Sequence, residues 1–455
     1  MRFTLPASKN LSLKHFHTAI SFGISLLLAQ PFLEGKETAE VLVKGKYEKI
    51  LCTTLSDLDG FKAELQARVG LYGGWREKRL EGTGFFRVEK TSGRWWAIDP
   101  EGYPLICMGV NSVSPQDGGP DTRASKDTLL WGKGATGRLR KFGFNTAGCW
   151  SASEVIQELE RPIAYCLRWN ISSQYRNQRR AKYPATGKFP VLYPFDPEFE
   201  STCEKFFAEA LSTKEDPWLF GHFSDNELPF REKGIVELYL SHPEDDPNHL
   251  AALKFLKDRK VKKAGWKEDR DFLELVVDTY YRKVANALKK NDPNHLYLGT
   301  RFHGRALHSE QIFVASGRYA DVISVNYYHR WTPEKDRIEN WSSLANKPIL
   351  ITEWYAMAED SELPTNKFGA GFSVRTQADR AKFYQHFSLG LLQNPSCIGW
   401  HWFKYRDSRN NAGIVDNENE PYDILWDSMK QIHHQAYSLV TYFDQRKKEE
   451  KSKEE

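Results

Sequence analysis

Apolar and polar positions predict two alternating kinds of segment from about residue 104 onward. Short apolar runs, typical of buried strands, alternate with longer stretches of helical spacing. The predicted strands are residues 105–113, 146–150, 163–169, 220–227, 296–303, 322–328, 349–354 and 397–403. The clearest predicted helices are residues 197–211, 271–290, 376–393 and 424–442. Because strands that alternate with helices form parallel βα units, eight such units predict an α/β protein with a closed (β/α)8 TIM barrel.

The pattern before residue 104 is different. Residues 82–90 alternate, turn at Ser92-Gly93, and are followed by a second strand-like run over residues 94–99. This predicts a β-hairpin that closes the bottom of the barrel or lies beside it. The predicted division is a signal peptide (1–30), a charged helical lead-in with the hairpin (31–103), the catalytic barrel (104–443) and a charged, frayed or disordered tail (444–455).

The N-terminal segment has the pattern of an export signal. Arg2, Lys9 and Lys14 give a positive start, and residues 19–29 form an apolar stretch that is short for a membrane span. A membrane anchor or a buried helix is the alternative. We therefore expect a secreted or periplasmic protein, with no membrane span in the mature chain.

The charge balance and the positions of the cysteines bear on nucleic-acid binding, disulfide bonds and metal sites. Lys and Arg number 64 against 60 Asp and Glu, without a basic block in the middle of the chain, so no nucleic-acid partner is expected. Cys107, Cys149, Cys166 and Cys397 lie in apolar runs, which predicts buried, free thiols. No Cys or His spacing typical of a metal site occurs, so neither a metal nor a cofactor is expected.

Two acids end predicted strands in equivalent positions. Glu227 ends the fourth strand and Glu353 the seventh. The carboxyl end of a barrel strand faces the catalytic mouth, and cleavage of a glycosidic bond requires two carboxyl groups. Strands four and seven lie across the mouth, which can bring the carboxyls to about 5–5.5 Å, the spacing of a retaining mechanism. We therefore predict a glycoside hydrolase with Glu353 as nucleophile, Glu227 as acid/base, and Asn226 bound to a sugar hydroxyl.

The Asn-Glu pair on strand four and the Glu on strand seven resemble the signature of clan A glycoside hydrolases, which are retaining (β/α)8 enzymes. Within this clan the chain resembles the β-agarases. The runs that carry the resemblance are residues 82–90, 95–102, 108–111, 223–228, 351–355 and 399–405. It covers about residues 80–440 and implies endo- or exo-acting hydrolysis of a galactan-type polysaccharide such as agarose or porphyran.

The resemblance to clan A also implies roles at strands six and eight. A tyrosine at the end of strand six typically hydrogen-bonds the nucleophile, which points to Tyr328 or Tyr327, with Tyr328 preferred. A tryptophan on strand eight commonly forms the floor of the −1 sugar subsite, which points to Trp402 rather than Trp400.

Other polar and aromatic residues near strand ends are candidates for sugar binding. Asn111, His303 and Trp354 are predicted to contact the substrate. His222 lies within the fourth strand and is predicted to be a hydrogen-bonded interior histidine. The polar insert over residues 232–267 is predicted to shape the cleft.

Alternative functions remain open from the sequence. The same residues serve a clan A hydrolase of another β-linked glycan, such as a mannan, a β-galactan or a uronic-acid-containing polymer, or a transglycosylase. A non-catalytic barrel that only binds polysaccharide is the alternative from a different class. In each case the expected partner is a polysaccharide or an oligosaccharide.

Overall fold

The computed structural model describes residues 35–63, 67–116, 122–180, 192–361, 363 and 369–454. The predicted signal peptide lies outside these residues, so export stays a prediction. Among the described helices, none is both long enough and apolar enough to cross a membrane.

The described residues form fifteen strands and eleven α-helices. The strands are β1 (Glu37–Val43), β2 (Lys46–Cys52), β3 (Arg87–Thr91), β4 (Arg94–Ile98), β5 (Pro104–Leu105), β6 (Cys107–Val110), β7 (Thr146–Ala147), β8 (Ala164–Arg168), β9 (Leu219–Phe223), β10 (Leu296–Gly299), β11 (Ile323–Asn326), β12 (Ile349–Glu353), β13 (Ala356–Ala358), β14 (Phe372–Val374) and β15 (Cys397–Trp402). The helices are α1 (Lys126–Lys141), α2 (Ser153–Gln157), α3 (Ile171–Arg179), α4 (Phe199–Phe207), α5 (Ile235–Leu240), α6 (Pro247–Asp258), α7 (Trp266–Asn291), α8 (Glu310–Gly317), α9 (Lys335–Ala345), α10 (Gln377–Gln393) and α11 (Asp423–Glu454).

Eight parallel strands form the central barrel, in the order β10-β9-β8-β7-β6-β15-β12-β11. Phe302, just beyond β10, bridges to Val325 of β11 and closes the ring. All eight predicted barrel strands are present, which confirms the (β/α)8 fold. Their residues are almost all buried because helices cover the outside and inward side chains fill the centre.

Strands β3, β4 and β5 form a small antiparallel sheet that closes the amino-terminal end of the barrel. The Trp95 N–H of β4 donates to the Pro395 carbonyl just before β15, at 2.8 Å. Side chains of this sheet share one buried cluster with inward residues at the bottom of the barrel: Phe86, Ala97, Leu105, Cys107, Phe220, Val322, Leu350 and Ile398. Of the two positions predicted for the hairpin, the structure shows the one at the bottom.

The region predicted as a helical lead-in is instead an antiparallel pair of strands, β1 and β2, which extends a sheet with β14 and β13. The reason is local. Lys44 and Gly45 have positive φ angles of 49° and 83°, and such a two-residue turn joins strands rather than helical residues. Ala39 and Val41 alternate with exposed or half-buried neighbours and are fully buried, a period of two that was missed among the charges.

Helix α10 covers the outside of the barrel next to β12 and β15. Its start is fixed by a capping box, in which the Thr376 hydroxyl accepts from the Asp379 N–H at 3.1 Å and the Asp379 carboxylate accepts from the Thr376 N–H at 3.2 Å. The last helix, α11, runs on through the segment predicted as a frayed tail, to Glu454. All six cysteines are buried with free thiols, as their apolar runs indicated.

The first and last parts of the described chain are joined below the barrel. The ring of Trp75 stacks on Tyr437 of α11 with centroids 5.4 Å apart, and the Tyr437 hydroxyl donates to the Gly73 carbonyl at 2.6 Å. Arg94 of β4 is buried and pairs with Asp444 of α11 at 2.9 Å. These contacts hold the bottom sheet against the C-terminal helix.

Candidate active site

Glu227 lies in the loop that follows β9, at the carboxyl end of the barrel. Its φ angle is 52°, in the left-handed region that non-glycine residues rarely adopt. The conformation is held from the backbone, since the Glu227 N–H donates to the Thr300 carbonyl at 3.0 Å. The carboxyl group is about one-third exposed and accepts a hydrogen bond from Asn326 Nδ2 at 2.7 Å. Strained residues of this kind cluster at functional sites, where neighbouring structure holds them in place.

Glu353 ends β12 and is only 5% exposed. Both of its carboxylate oxygens have donors. The Tyr328 hydroxyl donates to Oε2 at 2.6 Å, and Arg301 Nη2 lies 2.8 Å from Oε1. Burial raises the pKa of Glu353 and the charge of Glu227 adds to this rise, while Arg301 and Tyr328 oppose it by stabilising the anion. Both acids bond residues at the carboxyl end of the barrel, Glu353 through Tyr328 and Glu227 through Asn326, which places them in one site.

Arg301 bonds both Glu353 and Asn226, the residue before Glu227, and was not predicted from the sequence. It lies just beyond β10, is fully buried and has a φ angle of 55°. One guanidinium nitrogen bonds Glu353, as above, and also the Thr352 carbonyl at 2.9 Å; the other donates to the Asn226 side-chain oxygen at 3.0 Å. A charge inside a predicted buried strand, residues 296–303, was the available signal, because buried charges require specific partners.

Asn326 is a second connection across the mouth. Its side-chain oxygen accepts a hydrogen bond from the Thr352 hydroxyl at 2.8 Å, and its amide nitrogen lies toward Glu227. That nitrogen donates to Glu227 and lies 3.3 Å from the Asn226 oxygen. Because the Asn226 oxygen already receives donors from Arg301 and Asn326, its own amide nitrogen is left to donate to a ligand.

His303 and Asn111 occupy different depths. His303 is half-buried, and its Nδ1 lies 3.8 Å from the Glu227 carboxylate. Asn111 is fully buried, and its Nδ2 donates at 2.7 Å to the carbonyl of Thr352, the residue before Glu353. Of these two predicted sugar-binding residues, His303 lies at the mouth and Asn111 supports the backbone below Glu353.

The structure does not bring Trp354 and Trp402 into the mouth. Trp354 stacks on Phe387 of α10 at 4.3 Å, and Trp402 lies perpendicular to Trp354 at 5.0 Å. Both rings are 1% exposed or less, on the outer side of the barrel wall. Neighbouring residues of a strand point to opposite faces, so Trp354 faces away from the side that Glu353 occupies.

Tyr327 and Tyr328 also point in opposite directions. The Tyr327 hydroxyl donates to Glu334 at 2.6 Å, away from both acids, whereas Tyr328 reaches Glu353. Trp400, the alternative considered on the eighth strand, donates through Nε1 to the Tyr384 hydroxyl of α10 at 2.8 Å. It therefore packs on the outer side like Trp402.

A different set of rings lines the mouth. Tyr328 contacts Tyr355 at 5.6 Å, Tyr355 contacts Phe403 at 5.7 Å, and Phe403 contacts Trp150 edge-on at 5.9 Å. Trp150 and Phe403 are half-buried, and the Arg301 guanidinium lies 4.4 Å from the centre of the Trp150 ring. Trp150 ends the second predicted strand, and that position was its sequence signal.

One cluster of possible metal ligands lies behind β9, away from the acids: His222, Asp292 and His295. Its members bond one another, with His222 Nε2 and His295 Nδ1 at 2.8 and 2.7 Å from Asp292. The second His222 nitrogen accepts from Trp169 Nε1 at 3.0 Å. Burial alone would raise the pKa of Asp292, but the hydrogen bonds from both histidines hold it well below its usual range. The cluster is a buried hydrogen-bond network, and His222 is the interior histidine that was predicted.

The comparisons with known proteins agree with this architecture, although no family model matches the chain. The chain is 26% identical to β-agarase B of Vibrio sp. (strain JT0107) over 520 residues, covering 89% of this chain and 53% of that protein. β-Agarase A of the same organism is 26% identical over 68% of this chain and 36% of its own length. The chain thus spans about half, or less, of the length of these relatives.

Among solved structures, the crystal structure of BpGH50 is 30% identical, with a TM-score of 0.79 over 90% of this chain and 95% of that one. The structure of an exo-β-agarase shares the fold, at 21% identity and a TM-score of 0.67 over 85% of this chain and 69% of its own. The fold and these relatives define a β-agarase-like glycoside hydrolase. The chain belongs to the same family as BpGH50, the GH50 glycoside hydrolases.

Proposed function

We propose that the protein is a retaining β-glycoside hydrolase that cleaves a galactan-type polysaccharide such as agarose or porphyran, by endo or exo action. The observation that carries the proposal is the pair of cross-connected acids. Tyr328 and Arg301 bond the Glu353 carboxyl group, and Asn326 donates a hydrogen bond to Glu227. The activity named for β-agarases A and B supports the substrate class.

In the proposed first step, Glu227 donates its proton to the departing glycosidic oxygen while Glu353 attacks the anomeric carbon. Glu227 is the more exposed of the two, which suits a group that must reach a leaving group and later a water molecule. In the second step Glu227 removes a proton from that water while the water oxygen attacks the anomeric carbon, and the bond between the sugar and Glu353 breaks. Arg301 and Tyr328 keep the nucleophile oriented and ionised despite its burial.

The proposed sugar contacts come from the half-buried groups at the mouth. The free amide nitrogen of Asn226 donates to a hydroxyl beside the bond that breaks, and His303 contacts the sugar on the Glu227 side. The rings of Trp150 and Phe403 offer apolar surface for the sugar. They take the role that clan A resemblance suggested for Trp402, which has no exposed surface in this structure.

The test uses purified protein with agarose, porphyran, carrageenan, mannan and xylan, and follows released oligosaccharides by mass. Glu227→Gln and Glu353→Gln serve as controls for the site. We expect release from a red-algal galactan, its loss in both variants, and initial products that keep the β configuration by proton NMR. Binding without release in wild type and variants alike would favour the non-catalytic barrel, and initial α products would contradict the retaining mechanism.

A further inference from the structure

A groove of about 360 Å³ lies beside the catalytic mouth, between α1 and the segment that follows β15. Helix α1 follows β6, so its first turns lie near the carboxyl ends of the strands, the end that carries both acids. Leu130, Trp131 and Arg138 of α1 form one wall, and Tyr405 and Asn419 form the other. The groove therefore begins near this end of the barrel and runs along α1, and neither acid lines it.

The wall formed by Tyr405 is fixed to the end of the first barrel strand. The Tyr405 N–H donates to the carbonyl of Asn111 at 2.8 Å, and the Asn111 N–H donates to the carbonyl of Trp402 at 2.9 Å. Phe403, two residues before Tyr405, is one of the rings of the catalytic mouth. A single short segment thus contributes to both the mouth and the groove.

The surface of the groove combines apolar area with polar edges. Trp131 meets Tyr405 edge-on at 6.0 Å, and Leu130 is 72% exposed although it is a large apolar residue. A Cβ placed on Gly134 would meet no atom within 4 Å, so the helix surface here is open and flat. Flat aromatic and aliphatic area of this kind suits the CH-bearing face of a sugar ring.

The two charged residues that line the groove have opposite signs, which favours an uncharged ligand. Asp127 and Arg138 both line the groove and carry opposite charges. Arg138 donates to the Asn419 carbonyl at 2.6 Å, while the side-chain oxygen of Asn419 is buried and without a partner. The volume lies in the range of small-ligand sites, which favours one segment of a sugar chain over a protein partner.

We propose that this groove is an outer glycan-binding site that holds an uncharged segment of the polysaccharide while another segment lies between Glu227 and Glu353. The inference rests on the proposed function and adds a second contact area for long chains. A short oligosaccharide that fills only the mouth does not use it. The groove therefore affects polymer binding and leaves the chemical step unchanged.

The experiment compares two glycine substitutions on α1 in the full chain. Gly134→Phe places a ring into the groove without a clash, and Gly137→Phe is the matched control, because its Cβ also meets open space and it does not line the groove. Trp131→Ala is a second variant that removes groove surface instead of filling it. Binding is measured by native gel electrophoresis with and without agarose or porphyran in the gel, in the Glu353→Gln background. Hydrolysis is measured on the polymer and on a short oligosaccharide.

We expect Gly134→Phe and Trp131→Ala to weaken retardation in the gel and to raise KM for the polymer roughly 2- to 10-fold, the value of one aromatic contact. Oligosaccharide hydrolysis should match that of Gly137→Phe. If wild type hydrolyses the galactan and Gly134→Phe behaves as Gly137→Phe on the polymer, the groove inference fails and the proposed function stands. If the wild type does not hydrolyse the galactan, but the Glu353→Gln protein is retarded and Gly134→Phe in that background removes the retardation, the groove inference stands and the proposed function fails. If neither hydrolysis by the wild type nor retardation of the Glu353→Gln protein is seen, the groove inference and the proposed function both fail.

Discussion

Replacing Tyr328 with Phe removes one hydroxyl group, the donor 2.6 Å from Glu353 Oε2. A hydrogen bond to a charged group contributes about 1.5–3 kcal/mol, and 1.36 kcal/mol corresponds to one pH unit. Because the bond stabilises the ionised form, its loss raises the pKa of Glu353 further. The nucleophile must be ionised to attack, so we expect the acidic limb of kcat/KM to move about one to two pH units upward.

The assay is a pH profile of kcat/KM on a soluble oligosaccharide for wild type, Tyr328→Phe and Tyr327→Phe. Tyr327→Phe removes an equivalent hydroxyl from the neighbouring residue, whose partner is Glu334 rather than Glu353. We expect this control to lower thermal stability and to leave the acidic limb in place. An unmoved limb in Tyr328→Phe, or an equal movement in both variants, would refute the assignment of Tyr328 as the residue that positions and ionises the nucleophile.

Three further outcomes are expected. Arg301→Met should lower kcat/KM about 10- to 150-fold near neutral pH, through loss of a charge-assisted bond, and Arg301→Lys should recover part of it, by steady-state kinetics. Trp150→Ala should raise KM, whereas Trp402→Phe should change stability and leave KM unaltered. Burial lowers the pKa of His401 and His433 to about 3, so as pH falls below about 6.5 the unfolded chain binds protons that the folded chain does not. The free energy of unfolding should therefore fall by about 2 kcal/mol per histidine between pH 7 and 5, and His433→Gln should reduce this slope in urea titrations.

The sequence predicted the barrel well because most of its strands are short, mainly apolar runs between polar connections. A strand that is buried on both faces is apolar at successive positions, so it can be recognised as a continuous run in the sequence. The pair β1–β2 was missed because the two buried residues of β1, Ala39 and Val41, are surrounded by charges that are compatible with a helix. β1 pairs with β14, a strand more than 300 residues further along the chain. A local sequence pattern contains no information about a partner so distant.

The site was predicted in part for a similar reason. Glu227 and Glu353 were recognisable because each ends a predicted strand. Arg301 was missed because its role depends on contacts with Glu353 and Asn226, which lie on other strands. The positions of the aromatic rings were not predicted correctly, because neighbouring strand residues point to opposite faces. Glu353 and Trp354 therefore cannot both face the mouth.

The contacts below the barrel have a consequence for the order of folding. Trp75 and Gly73 meet Tyr437, and Arg94 meets Asp444, so the bottom sheet gains these partners only after nearly the whole described chain has been synthesised. Pairings this distant in sequence carry a large loop-closure cost and slow folding. Until α11 is in place, the ring of Trp75 lacks its stacking partner and Arg94 lacks its carboxylate. Partly folded chains that expose such surfaces are prone to aggregation, so these contacts identify α11 as the element that removes this exposure.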